Sequence, residues 1–417
     1  GGALHCEGVS IERIAREVGT PMYVYSTAVI ADRYARLHAM LSDVPHKVHY
    51  TLKANSSRAI LALLRELGAG AEVVSAGELR RALRAGFTGR DIIFGGVGKT
   101  DDELREALDA GVLLINAESA AEVTRLDELA REAGVVAPLG LRVNPELKLR
   151  SGTHQYIKTG EKGHKFGISF DDALPIAQAA AAMKHVELLG LDMHLGSQLS
   201  RIEPYRAGTE RLMALYRELC AVGISTIRYL DVGGGLGVRY DTEQPPDLDR
   251  FARVVLPLLA DTPLTLVMEP GRFIVGNAAV LVATVLYRKR SGDKEYVITD
   301  TGMTELLRPS HYGAYHRIEA VDGARDGDVI VADVVGPVCE SGDFLALERT
   351  LPNVRPGDRM AVYDVGAYGY AMASNYNGRR RPPEVLVDGD RFAVITRRES
   401  YDDLMRLEID EPAWRST

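Results

Sequence analysis

Rhythm is the strongest constraint on what this chain can fold into. Between residues 27 and 277, short apolar runs alternate with amphipathic stretches, and nearly every run ends in polar residues or glycine. The runs fall at 46–52, 71–75, 91–94, 112–116, 139–143, 188–194, 227–232 and 264–269. Short apolar runs bounded by turn residues read as strands. The stretches at 101–110, 119–133, 171–184 and 204–222 carry their apolar residues with helical period. Eight strands alternating with helices is the count that a closed (β/α)8 TIM-like barrel needs. The competing architecture, an open doubly wound sheet, gathers its ligand at one switch point. Here the polar residues after the runs recur all along the segment, from Lys53 to Arg272, which suits the rim of a barrel.

After Gly276 the texture changes. Val280–Val285, Tyr296–Thr299 and Met360–Tyr363 are strand-like, with Gly, Asp and Pro between them, and long helical patterns are scarce. The expected organisation is therefore a barrel over 27–277 and a mainly β domain over 278–417, joined by residues 1–26, where Met22–Tyr25 is also strand-like. A long connection at 145–170, with Gly152, Gly160 and Gly163 among Lys and His, reads as a mobile lid.

Composition narrows the classes. A net charge of −8 argues against a nucleic-acid surface, and no apolar stretch reaches membrane-spanning length. Cys6, Cys220 and Cys339 are few and far apart, which argues against a disulfide framework and for a reducing cytoplasm. No metal is expected.

Several segments carry chemistry. Lys53 closes the strand-like run Val48–Leu52, where a partly desolvated amine can form a Schiff base with a carbonyl. Gly233, Gly234 and Gly235 follow Tyr229–Val232 and could present backbone N–H groups to a phosphate, although they lack dinucleotide-fingerprint spacing. Gly95–Thr100 imitates a nucleotide-binding loop, but Ile93 stands where the first glycine must be; Thr100 reads instead as a helix cap. Glu269-Pro270-Gly271-Arg272 offers a carboxylate for a pyridine-type nitrogen and a guanidinium for a carboxylate. His194 could stack on a planar cofactor, and the Ser197 hydroxyl could meet a phosphate. Cys339 beside Glu340 could donate a proton, and 308–312 and 366–370 are polar-aromatic loops. The run Arg379-Arg380-Arg381 reads as a solvated basic stretch.

In this order, Tyr50–Asn55, His194–Gln198, the Gly233 run, Glu269–Arg272, Arg308-Pro309 with Tyr312, Cys339–Asp343 and Gly366–Tyr368 resemble the fold type III pyridoxal-phosphate decarboxylases over nearly the whole chain. The resemblance implies pyridoxal 5'-phosphate held by Lys53, with Glu269 on the ring nitrogen and His194 against the ring. It implies that Ser197, Gly233–Gly235, Gly271, Arg272 and Tyr368 hold the phosphate and the cofactor's surroundings. Cys339 becomes the proton donor after CO2 leaves. Arg272, Arg308, Tyr312, Glu340 and Tyr368 become the substrate contacts. Two arginines and a tyrosine suit a distal carboxylate, and Glu340 suits a distal ammonium. The expected reaction is therefore decarboxylation of meso-2,6-diaminopimelate to L-lysine, the last step of lysine biosynthesis. A relative acting on another basic amino acid or a carboxylated polyamine is the alternative. An alanine-racemase-like enzyme would want arginine where Glu269 stands. A binding protein without turnover would have lost Cys339, Glu340 and Arg308. The resemblance further implies a homodimer whose β domains reach the partner's barrel, giving shared sites.

Overall fold

The computed structural model describes residues 3–147, 163–322 and 329–415. Contacts divide the chain into two units, Ala28–Ala278 and a second made of Gly1–Thr27 with Ala279–Thr417. The lid expected within 145–170 falls mainly on 148–162, outside the described residues.

In the first unit eight parallel strands close a barrel: β1 (His46–Thr51), β2 (Gly70–Val73), β3 (Ile92–Phe94), β4 (Leu114–Ala117), β5 (Ala137–Arg142), β6 (Val186–Asp192), β7 (Tyr229–Asp231) and β8 (Thr265–Met268). Each pairs with the next, and Leu266 to Met268 of β8 pair with His46 to Val48 of β1 to complete the ring. The strands read as apolar because they are covered on both faces, inside by one another's side chains and outside by helices. Ile93, Leu114 and Val267, from three strands, make one buried cluster. The helices start where short polar side chains can cap them. Thr100 accepts from Glu103 N–H while the Glu103 carboxylate returns to Thr100 N–H, a capping box that fixes Asp101–Ala110. Ser75 and Ser119 cap Ala76–Arg84 and Ala120–Ala133 by accepting from Glu78 N–H and Glu122 N–H.

The second unit is mainly β. Its long strand Ala279–Ser291 pairs antiparallel with Lys294–Thr299, Arg359–Tyr363 and Met22–Ser26, so the start of the chain supplies a strand to this unit. Its core gathers Ile11, Ile14, Met22, Val24, Val282, Ala361 and Val385. Residues 308–312 are not the loop the sequence suggested but a short helical turn, Arg308–Tyr312, with Pro309 in its first turn and Gly313 in the left-handed region (φ 60°) after it. Among the described residues no helix is long and apolar enough to cross a membrane.

Candidate active site

Lys53 lies two residues past the end of β1, on the rim that carries the chemistry in barrels of this kind. Its Nζ is 3.3 Å from Glu72 Oε2 on β2. The register that pairs Thr51 with Glu72 sets a hydroxyl beside the same carboxylate, and Thr51 Oγ1 donates to Glu72 Oε2. Glu72 is only 2% exposed, so Lys53 is the cation that offsets a buried negative charge. Next to it Glu78, partly buried and close to Glu72, is pushed up to about 7, chiefly by desolvation.

Across the rim lies a group of buried carboxylates. Barrel register puts Asp192 at the end of β6 directly opposite Asp231 on β7. Glu269 follows β8. Burial drives all three upward, Asp192 to about 7, Asp231 well above the usual carboxylate range, and Glu269 in the same direction. Their mutual repulsion adds to the rise on Asp192 and Asp231. Protons are thus retained in the group. His194, expected to end β6, stands two residues beyond it. Its Nε2 is 2.8 Å from Glu269 Oε2 and 3.4 Å from Asp192 Oδ1. Burial holds the His194 imidazole down at about 4, so at neutral pH it is uncharged. Glu269 thus has His194 on one oxygen and a side-chain hydrogen bond with Asp231, although no contact to its oxygens is well aligned.

The glycines are required by space. A Cβ on Gly234 would lie 2.0 Å from the Glu269 carbonyl oxygen, and one on Gly235 (φ 95°) 2.3 Å from that of Gly196. Gly233 N–H is taken by Asp231 Oδ1 at 2.8 Å, whereas the N–H groups of Gly234 and Gly235 donate to no described residue. Beside this cradle, Arg272 Nη2 donates to Ser197 Oγ at 3.1 Å and Nη1 to the Tyr240 hydroxyl at 2.6 Å. Gln198 takes the left-handed backbone (φ 59°), held there because its amide bonds both N–H and C=O of Val238.

The remaining sequence candidates belong to the second unit. Arg308 is 6% exposed and meets His316 Nε2 at 2.9 Å, while His316 Nδ1 is 2.8 Å from the Tyr363 carbonyl. A carbonyl can only accept, so Nδ1 carries the proton and Nε2 accepts from Arg308. Tyr312 packs edge-on against His311. Cys339 and Glu340 are exposed on a loop organised by buried Asp343, which accepts from the N–H groups of Met303 and Val338. Cys339 N–H donates to Asn377 Oδ1 at 3.2 Å. Tyr368 is half-buried with φ 58°.

Sequence reasoning therefore located two groups. Lys53, His194, Ser197, Gly233–Gly235, Glu269, Gly271 and Arg272 occupy one barrel rim, and Arg308, Tyr312, Cys339, Glu340 and Tyr368 the other unit. It missed Glu72, Asp192, Asp231, Tyr240 and His316. A charged residue inside or closing an apolar strand was the available signal for the first three. The basic run 379–381 is not simply solvated. Arg381 places two guanidinium nitrogens on Glu399 Oε1, Arg379 approaches Glu305 at 3.8 Å, and Arg380 lies over the Tyr401 ring at 4.6 Å.

Residues 27–276 match the family model of the pyridoxal-dependent decarboxylases, pyridoxal binding domain. Barrel, rim lysine and this match together define the class, a pyridoxal-dependent decarboxylase. The diaminopimelate decarboxylase of Pseudomonas aeruginosa is 47% identical over 401 residues, covering 96% of this chain and 95% of that protein. The Aquifex aeolicus diaminopimelate decarboxylase is 41% identical over 410 residues, covering 98% and 96%. A crystal structure of diaminopimelate decarboxylase from Helicobacter pylori complexed with L-lysine superposes with a TM-score of 0.91 at 38% identity, over 95% of this chain and 98% of that one. Within the class, the chain belongs to the diaminopimelate decarboxylase family.

Proposed function

We propose that the chain decarboxylates meso-2,6-diaminopimelate to L-lysine and CO2, using pyridoxal phosphate. The observation that carries this reading is Glu269, a buried carboxylate set against His194 and Asp231, in a rim that also holds Lys53 and a glycine cradle whose Gly234 and Gly235 N–H groups donate to no described residue. These residues suit three polar features of the cofactor: its carbonyl, its ring nitrogen and its phosphate. When bound, the cofactor supplies an electron sink for the charge left by the breaking C–C bond.

The chain's own residues do the rest. Lys53 would hold the carbonyl carbon, with Glu72 fixing the amine. Glu269 would keep a proton on the ring nitrogen, and the proton-rich Asp192 and Asp231 around it limit the accumulated negative charge. Uncharged His194 offers a flat face without competing for that carboxylate as a cation. Ser197 and the N–H groups of Gly234 and Gly235 would bind the phosphate, with Tyr368 adding a hydroxyl; Gly233 and Gly271 leave room for close approach, and Tyr240 braces Arg272. Cys339 delivers the proton to the carbon that CO2 leaves, a transfer that needs the exposure its loop provides. Arg272, Arg308 and Tyr312 take the distal carboxylate, and Glu340 the distal ammonium. Two copies share their sites head to tail, the β domain of one serving the partner's barrel. Three free cysteines suit the cytoplasm as its compartment.

Release of CO2 and formation of lysine from meso-diaminopimelate, compared with release from ornithine, tests the reading; faster turnover of ornithine would overturn the substrate. Sharing is tested by mixing Lys53→Ala with Cys339→Ala protein. Partial recovery of activity is expected, and no recovery despite subunit exchange argues for sites complete within one chain.

A further inference from the structure

We propose that the β domain carries a second anion site, for phosphate or a phosphate monoester, in a cavity of ≈ 360 Å³ lined by Arg379, Arg380, Arg398, Thr20, Asp300 and Tyr401. It is built wholly from residues of the second unit.

Charge is the first observation. The whole chain is at −8, yet this lining sets three guanidinium groups against one carboxylate. That carboxylate is already committed. Asp300 Oδ2 accepts from Thr20 Oγ1 at 2.6 Å, and Oδ1 from Thr284 N–H at 2.8 Å. The next acid, Glu305, lies outside the lining, 3.8 Å from Arg379 Nε, and is held by the hydroxyls of Thr301 and Thr304. Like charges gathered in a partly desolvated cavity repel, and a counter-ion relieves that cost.

Donor availability is the second. Arg398 is fixed by one nitrogen, Nη2, which spans the carbonyls of Gly19, Thr20 and Pro21 at 3.2, 3.1 and 2.9 Å. Its Nε and Nη1 donate to no described residue. Arg379 is fixed by Nη2 on the Asp300 carbonyl at 2.7 Å, and its buried Nε has no hydrogen-bond partner. Arg380 makes no hydrogen bond or ion pair among the described residues; only the Tyr401 ring, 4.6 Å from its guanidinium carbon, positions it. The pocket therefore presents anchored guanidinium groups with donors to spare, the geometry that binds oxyanions in a bidentate manner.

Size and charge select the ligand. The cavity is at the small end of ligand pockets, which excludes a polymer. Three positive groups against one negative leave a formal excess of two, which a phosphate dianion balances.

The test uses full-length protein saturated with pyridoxal phosphate, so that the barrel's phosphate cradle is already filled. Inorganic phosphate is titrated calorimetrically at constant ionic strength, with chloride as control. One saturable site per chain is expected. Arg380→Gln should weaken it at least tenfold, and Arg380→Lys by less, with cofactor absorbance and circular dichroism unchanged. Tyr401→Leu keeps every charge but removes the ring under Arg380, and should weaken binding severalfold; it serves if Arg380→Gln fails to fold. Glycerol phosphate binding more tightly than inorganic phosphate identifies an ester as the ligand, and the reverse order free phosphate. Heat no greater than the chloride control, or equal affinity in parent and variants, overturns the proposal.

Discussion

The two units handle their acid–base groups in opposite ways. On the barrel rim, Glu72, Asp192, Asp231 and Glu269 are each 1–2% exposed, and burial moves His194 and three of these carboxylates away from their ordinary titration. In the β domain, Cys339 and Glu340 stand exposed on a loop whose only deeply buried acid, Asp343, is consumed in holding backbone N–H groups. The difference suits the two tasks proposed for these groups. Holding a cofactor's ring and phosphate calls for a dry, preorganised surround. Meeting a diffusing amino acid charged at both ends and handing it a proton calls for side chains that solvent and substrate can reach. The most direct way to break the comparison is to remove one group from each side. Lys53→Ala should abolish both turnover and the visible absorbance of bound cofactor. Cys339→Ala should lower kcat by about 10² to 10⁴ while leaving that absorbance intact. Equal loss of cofactor in the two variants would mean that Cys339 is part of the scaffold, and the division of labour would collapse.

Much of the barrel side was legible because its signals are local. Parallel strands covered on both faces must be apolar along their length, so the alternation placed all eight within about two residues of where they lie. Thr100 with Glu103 could be read as a cap because both partners sit within one helical turn. The carboxylate group was not legible. Asp192 and Asp231 are 39 residues apart and meet only through barrel register. Tyr240 reaches Arg272 by the same kind of long-range closure. In the β domain the basic run meets the same obstacle, with partners 74 residues before Arg379 and 21 residues after Arg380. The basic run looked solvated because Glu305 and Tyr401, its neighbours in space, lie far along the chain.

Glycine substitutions sharpen the contrast with a smaller effect. Gly234→Ala puts a methyl group 2.0 Å from a backbone oxygen that cannot move without displacing Glu269. The cost should be about 3 kcal/mol of stability, with a matching loss of cofactor retention. Gly342→Ala, in the Cys339 loop, meets nothing nearer than 3.7 Å, and its backbone is not left-handed. It should change stability by no more than about 0.5 kcal/mol. Urea unfolding of both variants measures the two costs side by side; comparable losses would show that the β-domain loop is packed as tightly as the rim.

The last effect is one of pH, and it belongs to the barrel interior. His49 on β1 is 1% exposed, and burial holds its imidazole at about 4 against the usual 6.5. Above 6.5 the ring is neutral in both folded and unfolded chains and contributes no pH dependence. As pH falls the unfolded chain takes up a proton that the barrel refuses, so stability drops progressively and the full penalty is reached below about 4. The shift corresponds to on the order of 3 kcal/mol across that window. His194 acts in the same direction, but Asp192, raised from 3.8 to about 7, binds its proton in the folded state and opposes it over nearly the same range. The parent's pH profile is therefore a sum of compensating slopes. The difference between the parent and His49→Asn removes the rim groups from the comparison, since they are common to both. Unfolding free energies at pH 7 and pH 4.5 should converge toward low pH, the variant losing less than the parent. Parallel profiles would mean that water or a rearranged strand reaches His49, and that the dryness of the barrel stops at its rim.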